Sequence, residues 1–215
     1  MKKFVFLLVL ILFPFLASAQ KDAKAKELLD QSEKEFVKSG GIESGFTLNV
    51  KDVINKVTEV FDGRILLRDN KFFVETPDYA IFFDGKTQWI YNKSFDEVNV
   101  SEPDEKGVQM LNPTSVYAIY KKGCDYKYLG EKTDIKMRKV HEIELITKGK
   151  KEDIKKVILQ LDKTTLLPLM FHLFFDNGLE NVVYINQYKT GQTIPDAVFS
   201  FDKTKYPDVE IIDLR

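Results

Sequence analysis

Cysteine is nearly absent from this chain. The one thiol, Cys124, excludes an intramolecular disulfide, and its place in a strand-like run marks it as a small packed hydrophobe rather than a redox group. Histidine is almost as scarce. His141 and His172 stand far apart, each inside a strand-like run, and no H-x-x-H, H-E-x-x-H or C-x-x-C spacing exists to hold zinc. There is no G-x-S-x-G nucleophile turn. Asp84-Gly85-Lys86 has the chemistry of a turn and not of a phosphate loop, while Glu142, Glu144 and the charged stretch from Lys148 to Lys156 suit solvated surface. An excess of positive charge is lacking too. With 32 basic and 33 acidic residues the net charge is −1, which supplies no electrostatic footprint for nucleic acid. These absences point away from an enzyme, and neither a cofactor nor a metal is expected.

Long apolar runs are confined to the start. Lys2 and Lys3 precede an apolar stretch from Phe4 to Leu16, and Ala17-Ser18-Ala19 follows. Those are the three parts of a secretory signal, and the stretch is shorter than the ~20 residues a spanning helix needs. Cleavage after Ala19 is expected. It leaves residues 20–215 as one exported domain, and no cysteine follows the apolar run to be acylated.

Beyond the signal, hydrophobic periodicity sets the organisation. Ala23 to Lys38 places Leu28, Leu29, Ser32 and Phe36 near one helical face, and Ser39-Gly40-Gly41 ends it. From Gly45 the period becomes two. Runs at 56–68, 71–76, 79–83, 87–92 and 97–100 are separated by Asp62-Gly63, Asp69-Asn70, Pro77-Asp78 and Asp84-Gly85, which are hairpin signals. The alternation stops between Ser101 and Gly123, where Asn112-Pro113 reads as a helix start and Val116, Ile119 and Tyr120 fall on one helical face. It resumes at 124–130, 138–147, 154–162, 167–175 and 180–190, with a last short strand at 198–201.

The expectation is a mainly β (α+β) fold. It is an unclosed antiparallel barrel of about eleven strands, wider than the ~8 whose interior side chains just fill. The N-terminal helix and the short helical insert would then act as a lid over an apolar cavity. Period-two aromatics serve equally well as an ordinary sandwich core, so the pattern alone does not establish a ligand.

The segment from Gly63 to Asn92 carries a family likeness. Its Phe72-Phe73-Val74 motif, Pro77, and above all Asp84-Gly85-Lys86-Thr87-Gln88-Trp89-Ile90-Tyr91-Asn92 resemble the outer-membrane lipoprotein carrier (LolA-like) family. So do Asn112-Pro113 before a helix and the pattern Phe199-x-Phe201-Asp202 with Pro207-x-Val209. The resemblance implies a periplasmic, monomeric carrier. It would take acylated lipoproteins from an ATP-driven release complex in the inner membrane and pass them to the outer membrane or to an acceptor there.

It also implies that Phe46, Leu48, Phe72, Val74, Ile81, Phe83, Trp89 and Tyr91 line an acyl-chain cavity, with Met110, Leu111, Val116, Ile119 and Tyr120 on the lid. The family's lid latch is an arginine before the Phe motif. Arg68 takes that place when Phe72 is the anchor, Asp69 when Gly63 is, and the family's Arg-Pro is Arg68-Asp69 here. The alternatives are a carrier of another envelope lipid or glycolipid, and a β-rich sensor or scaffold that binds a protein partner.

Overall fold

A computed structural model of the chain describes residues 22–103, 115–148 and 154–215. The first helix, α1 (Ala23–Lys38), begins where Asp22 accepts hydrogen bonds from the Lys24 and Ala25 amides at 2.9 and 3.1 Å, satisfying donors the first turn leaves free. The other carboxylate oxygen of Asp22 accepts from the Tyr128 amide at 2.9 Å, so one side chain both caps the helix and fastens it to the sheet. The buried stripe is Ala25, Leu28, Leu29 and Ser32.

Six strands follow: β1 (Ile42–Asp52), β2 (Val57–Arg68), β3 (Lys71–Glu75), β4 (Tyr79–Phe83), β5 (Gln88–Asn92) and β6 (Glu97–Ser101). The helical insert is α2 (Ser115–Lys121), ended by Gly123 at φ 98°. Then come β7 (Asp125–Thr133), β8 (Lys139–Ile146), β9 (Ile154–Asp162), β10 (Pro168–Phe175), β11 (Leu179–Lys189) and, after two 3₁₀ turns, β12 (Glu210–Asp213).

Among the described residues, the twelve strands join one open sheet in the order β12-β6-β5-β4-β3-β2-β1-β11-β10-β9-β8-β7. Local pairing is antiparallel, as hairpin turns require, and β1 pairs with β11 to join the two meanders. Register shifts at Gly45/Phe46, Tyr128/Gly130 and Pro168/Met170 bend the strands that carry them. The concave face holds one hydrophobic core shared by the sheet and both helices, including Leu28, Leu29, Ile65, Phe72, Val116, Leu145, Leu159 and Ile185.

The C-terminal part departs from the sequence reading in two ways. The tail contributes a strand of its own, β12, which runs parallel to β6, pairing Glu210 with Glu97 through Asp213 with Val100. The chain leaves β11, crosses the back of the sheet and reaches the far edge already pointing along β6. Residues 198–201 are not a strand. Asp196–Phe199 forms a 3₁₀ turn whose Phe199 is fully buried on the convex face. A segment lying across a sheet face has no free strand edge to pair with. Residues 195–209 therefore act as a strap, covering Phe73, Ala80, Phe82, Tyr91, Val98 and Val100 with Phe199, Phe201, Tyr206 and Val209.

Candidate functional site

The concave core is not filled along its whole length. Between the centre of the sheet and α2 lies a cavity of about 290 Å³, lined by Phe46, Leu48, Ile65, Val74, Ile81, Val157, Phe171, Leu173, Val183 and Ile185 on the sheet and by Val116 and Ile119 on the helix. Strand register explains the convergence. Val74 lies opposite both Ile65 and Ile81, Phe46 opposite Ile185, Leu48 opposite Val183, and Val183 opposite Phe171. Residues paired across antiparallel strands share a face, so apolar side chains from six strands point the same way. Gly63 makes room for one of them. It pairs with Phe46, and a Cβ at Gly63 would stand 2.4 Å from that ring and 2.6 Å from the Glu75 carbonyl.

Among the described residues, one end of the cavity opens past Thr76, Tyr79, Phe175 and Asn181. Leu48, Thr76 and Tyr79 also border an outer groove of about 700 Å³ reaching Val60, Phe61 and Phe95. Phe95 is 79% exposed and Val60 61%. The groove also carries Glu59, Asp78, Asn92 and Ser94, so a border of mixed polarity leads from the surface to the apolar cavity.

The expected site residues divide into groups. Phe46, Leu48, Val74 and Ile81 border the cavity. Phe72 and Phe83 share its face but lie buried beyond it, their rings 5.1 Å apart. Trp89 and Tyr91 are on the opposite side of the sheet. The turn Asp84–Thr87 pairs Phe83 with Gln88 and Phe82 with Trp89, so Trp89 and Tyr91 follow Phe82 and Ala80 onto the convex face. There Trp89 packs in the strap cluster, and Tyr91 donates to Asp96 Oδ1 at 2.7 Å and contacts Tyr206.

Of the lid residues, Val116 and Ile119 face the cavity, while Tyr120 turns toward α1 and Tyr126. Met110 and Leu111 lie outside the described residues.

Among the described residues, Arg68 makes its hydrogen bonds to the C-terminal strap and none to α2. Its guanidinium donates to the Ile194 carbonyl and Asp196, joined there by Lys71 at 2.7 Å, and it lies over the Phe199 ring. Arg68 fastens the strap, because it sits at the end of β2 next to the place where the strap begins. The helix is held by α1 instead. Tyr117 Oη is 2.7 Å from Ser32 Oγ, Tyr120 donates to Asp30 Oδ1 at 2.8 Å, and Lys121 pairs with Glu33 at 2.6 Å. Burial pushes the Tyr117 phenol well above its ordinary range. Tyr120 is raised to about 12 by burial and then by its bond to Asp30. Both phenols therefore remain neutral, and that of Tyr120 is the donor to Asp30. Neither the Ser32–Tyr117 pair nor the Asp30–Tyr120 pair was visible in the sequence, although Ser32 in an otherwise apolar helical stripe was the signal for the first.

No group of His, Cys, Asp and Glu among the described residues could hold a metal, and no helix among them is long and apolar enough to cross a membrane. His141 is packed at the sheet's end, its Nδ1 2.9 Å from Tyr128 Oη, and burial lowers its pKa. The chemistry available here is apolar enclosure under a short helix.

An open, curled antiparallel sheet with a helix over an apolar cavity defines a class of binding protein. The chain belongs to the outer membrane lipoprotein carrier protein LolA family, whose model matches residues 15–173. It is 27% identical over 205 residues to the uncharacterized protein MJ0687 of Methanocaldococcus jannaschii, an alignment that covers 93% of this chain and 58% of the relative, so it spans little more than half of that protein. An uncharacterized conserved protein from Thermus thermophilus shares the fold at TM-score 0.59 and 15% identity, covering 88% of this chain and 99% of that one. LprF from Mycobacterium bovis shares it at TM-score 0.50 and 12% identity, with coverages of 82% and 98%.

Proposed function

We propose that this protein is an exported, single-domain carrier, released from its signal peptide after Ala19. It encloses the acyl chains of lipoproteins in the cavity and carries them across the periplasm from the inner to the outer membrane. The observation that carries the reading is the cavity itself: apolar, roofed by α2 and open at one end. A scaffold for a protein partner would not need an unfilled apolar interior.

Burying an acyl chain gains about 0.8 kcal/mol per methylene. Leaving a membrane unaided is correspondingly costly, so a release machine must do that work, and the carrier lowers the cost of the aqueous crossing. The carrier must also let go. Val116 and Ile119 occupy part of the apolar wall when the cavity is empty, and an incoming chain must exchange those contacts for its own. That competition keeps net affinity modest.

The test is to isolate the protein from periplasm and identify what accompanies it by mass spectrometry, and to follow acylated lipoproteins after depletion. Co-isolation with acylated lipoproteins and their accumulation in the inner membrane are expected. A different, unacylated ligand, or normal lipoprotein sorting without the protein, overturns the reading.

A further inference from the structure

Among the described residues, the wall of the cavity contains one amide where its pattern calls for a hydrocarbon. Along β11, Asn181, Val183 and Ile185 point inward in succession. Asn181 lies between Val50 of β1 and Leu173 of β10, both apolar. Its Oδ1 is screened from solvent and receives no hydrogen bond among the described residues. The other polar groups of the lining are satisfied within the protein. Thr76 Oγ1 accepts from the Tyr79 amide at 3.1 Å, and Tyr79 Oη accepts from Asn92 Nδ2 at 3.5 Å.

A buried acceptor without a donor is costly, and valine would both continue the alternation and remove the cost. The residue makes sense if the donor arrives with the ligand. Asn181 borders the open end, beside Phe175 and Tyr79. A chain inserted tail first would leave its linkage to the headgroup close to this amide.

We infer that Asn181 is a specificity residue that accepts a hydrogen bond from the N–H of an amide-linked acyl chain, so that the cavity distinguishes N-acyl from O-acyl amphiphiles. The inference rests on the carrier reading and refines it. An ester presents only acceptors at the same position and leaves Oδ1 unpaired. A hydrogen bond gained only in the complex is worth roughly 3- to 10-fold in affinity.

The test is titration of the purified protein with N-lauroylglycine methyl ester and its oxygen isostere, O-lauroyl methyl glycolate, which differ by N–H against O. A third probe, 1-monolauroylglycerol, carries hydroxyl donors farther from the chain. Wild type should bind the amide several-fold more tightly than either ester. Asn181→Val should bind all three alike, with ester affinity retained or improved and thermal stability raised. Asn181→Thr, which keeps an acceptor, should recover part of the preference.

Equal binding of amide and isostere by wild type overturns the assignment, as does a preference that survives in Asn181→Val. Monolauroylglycerol binding as tightly as the amide overturns the choice of N–H. Failure of every probe to bind overturns the carrier reading as well, which separates the two claims.

Discussion

Tyr117 and Ser32 meet at 2.7 Å between two buried hydroxyls, and this contact joins the short helix over the cavity to the long N-terminal one. With Tyr120–Asp30 and Lys121–Glu33 it makes α1 the anchor of the lid. Tyr117→Phe should leave the Ser32 hydroxyl without its partner and cost about 1–3 kcal/mol. Amide exchange at 115–121 should accelerate more than in the strands. In a double-mutant cycle with Ser32→Ala, the two losses should be less than additive. Additive losses would mean that the contact does not hold the helix.

Acid should loosen the same helix. The Asp30 pKa is lowered by its hydrogen bond with Lys26 first and by that from Tyr120 second. A depressed carboxylate stabilises the fold fully above its ordinary value of 3.8 and loses that contribution as pH falls through the lower folded value. Exchange at 115–121 should therefore rise on acidification below that range. Asp30→Asn should remove that pH dependence, and an unchanged profile in that variant would assign it to another group.

Gly63 is required by contact and not by turn geometry. Gly63→Ala should push the Phe46 ring into the cavity and strain the neighbouring β3 backbone at Glu75. Overpacking of this kind costs about 1–3 kcal/mol. A lowered melting temperature together with weakened acyl binding is expected. Denaturant melts and probe titration measure both, and retention of both would mean that the ring has another place to go.

Trp89 is the only tryptophan, which makes it a reporter for the wrong side of the sheet. Its emission should barely move when an acyl probe binds, and should shift when the strap is loosened by Arg68→Ala. Ile81→Glu, on the cavity side of β4, should abolish probe binding. A large ligand-induced shift in Trp89 emission would place the chain on the convex face.

These sites show what the sequence could convey. The helical stripe of α1 and the Asp84-Gly85 turn are local features, and both helices and most hairpins were legible from such signals; Asp62-Gly63, expected to break the chain into a hairpin, instead lies inside β2, where Gly63 pairs with Phe46. The concave placement of Val74 and Ile81 was legible as well, because it needs only alternation and a short turn. The family pattern puts Trp89 in the cavity, whereas turn parity sends it with Phe82 to the other face. The strap, the parallel β12 and the bond from Arg68 to Asp196 depend on chain crossings of more than a hundred residues, which no local period encodes. Asn181 is not legible in the sequence, because one polar residue in an alternating run ordinarily marks the solvent face.

The most direct measurement uses an acylated lipoprotein carrying a photoreactive diazirine in its acyl chain, loaded onto the purified protein, crosslinked and mapped by mass spectrometry. The account predicts adducts on the cavity wall, at Leu48, Val74, Ile81, Leu173 and Val183, and on Val116 or Ile119 of the lid. Adducts concentrated on Trp89, Tyr91 and the strap, or none on the concave face, would contradict it.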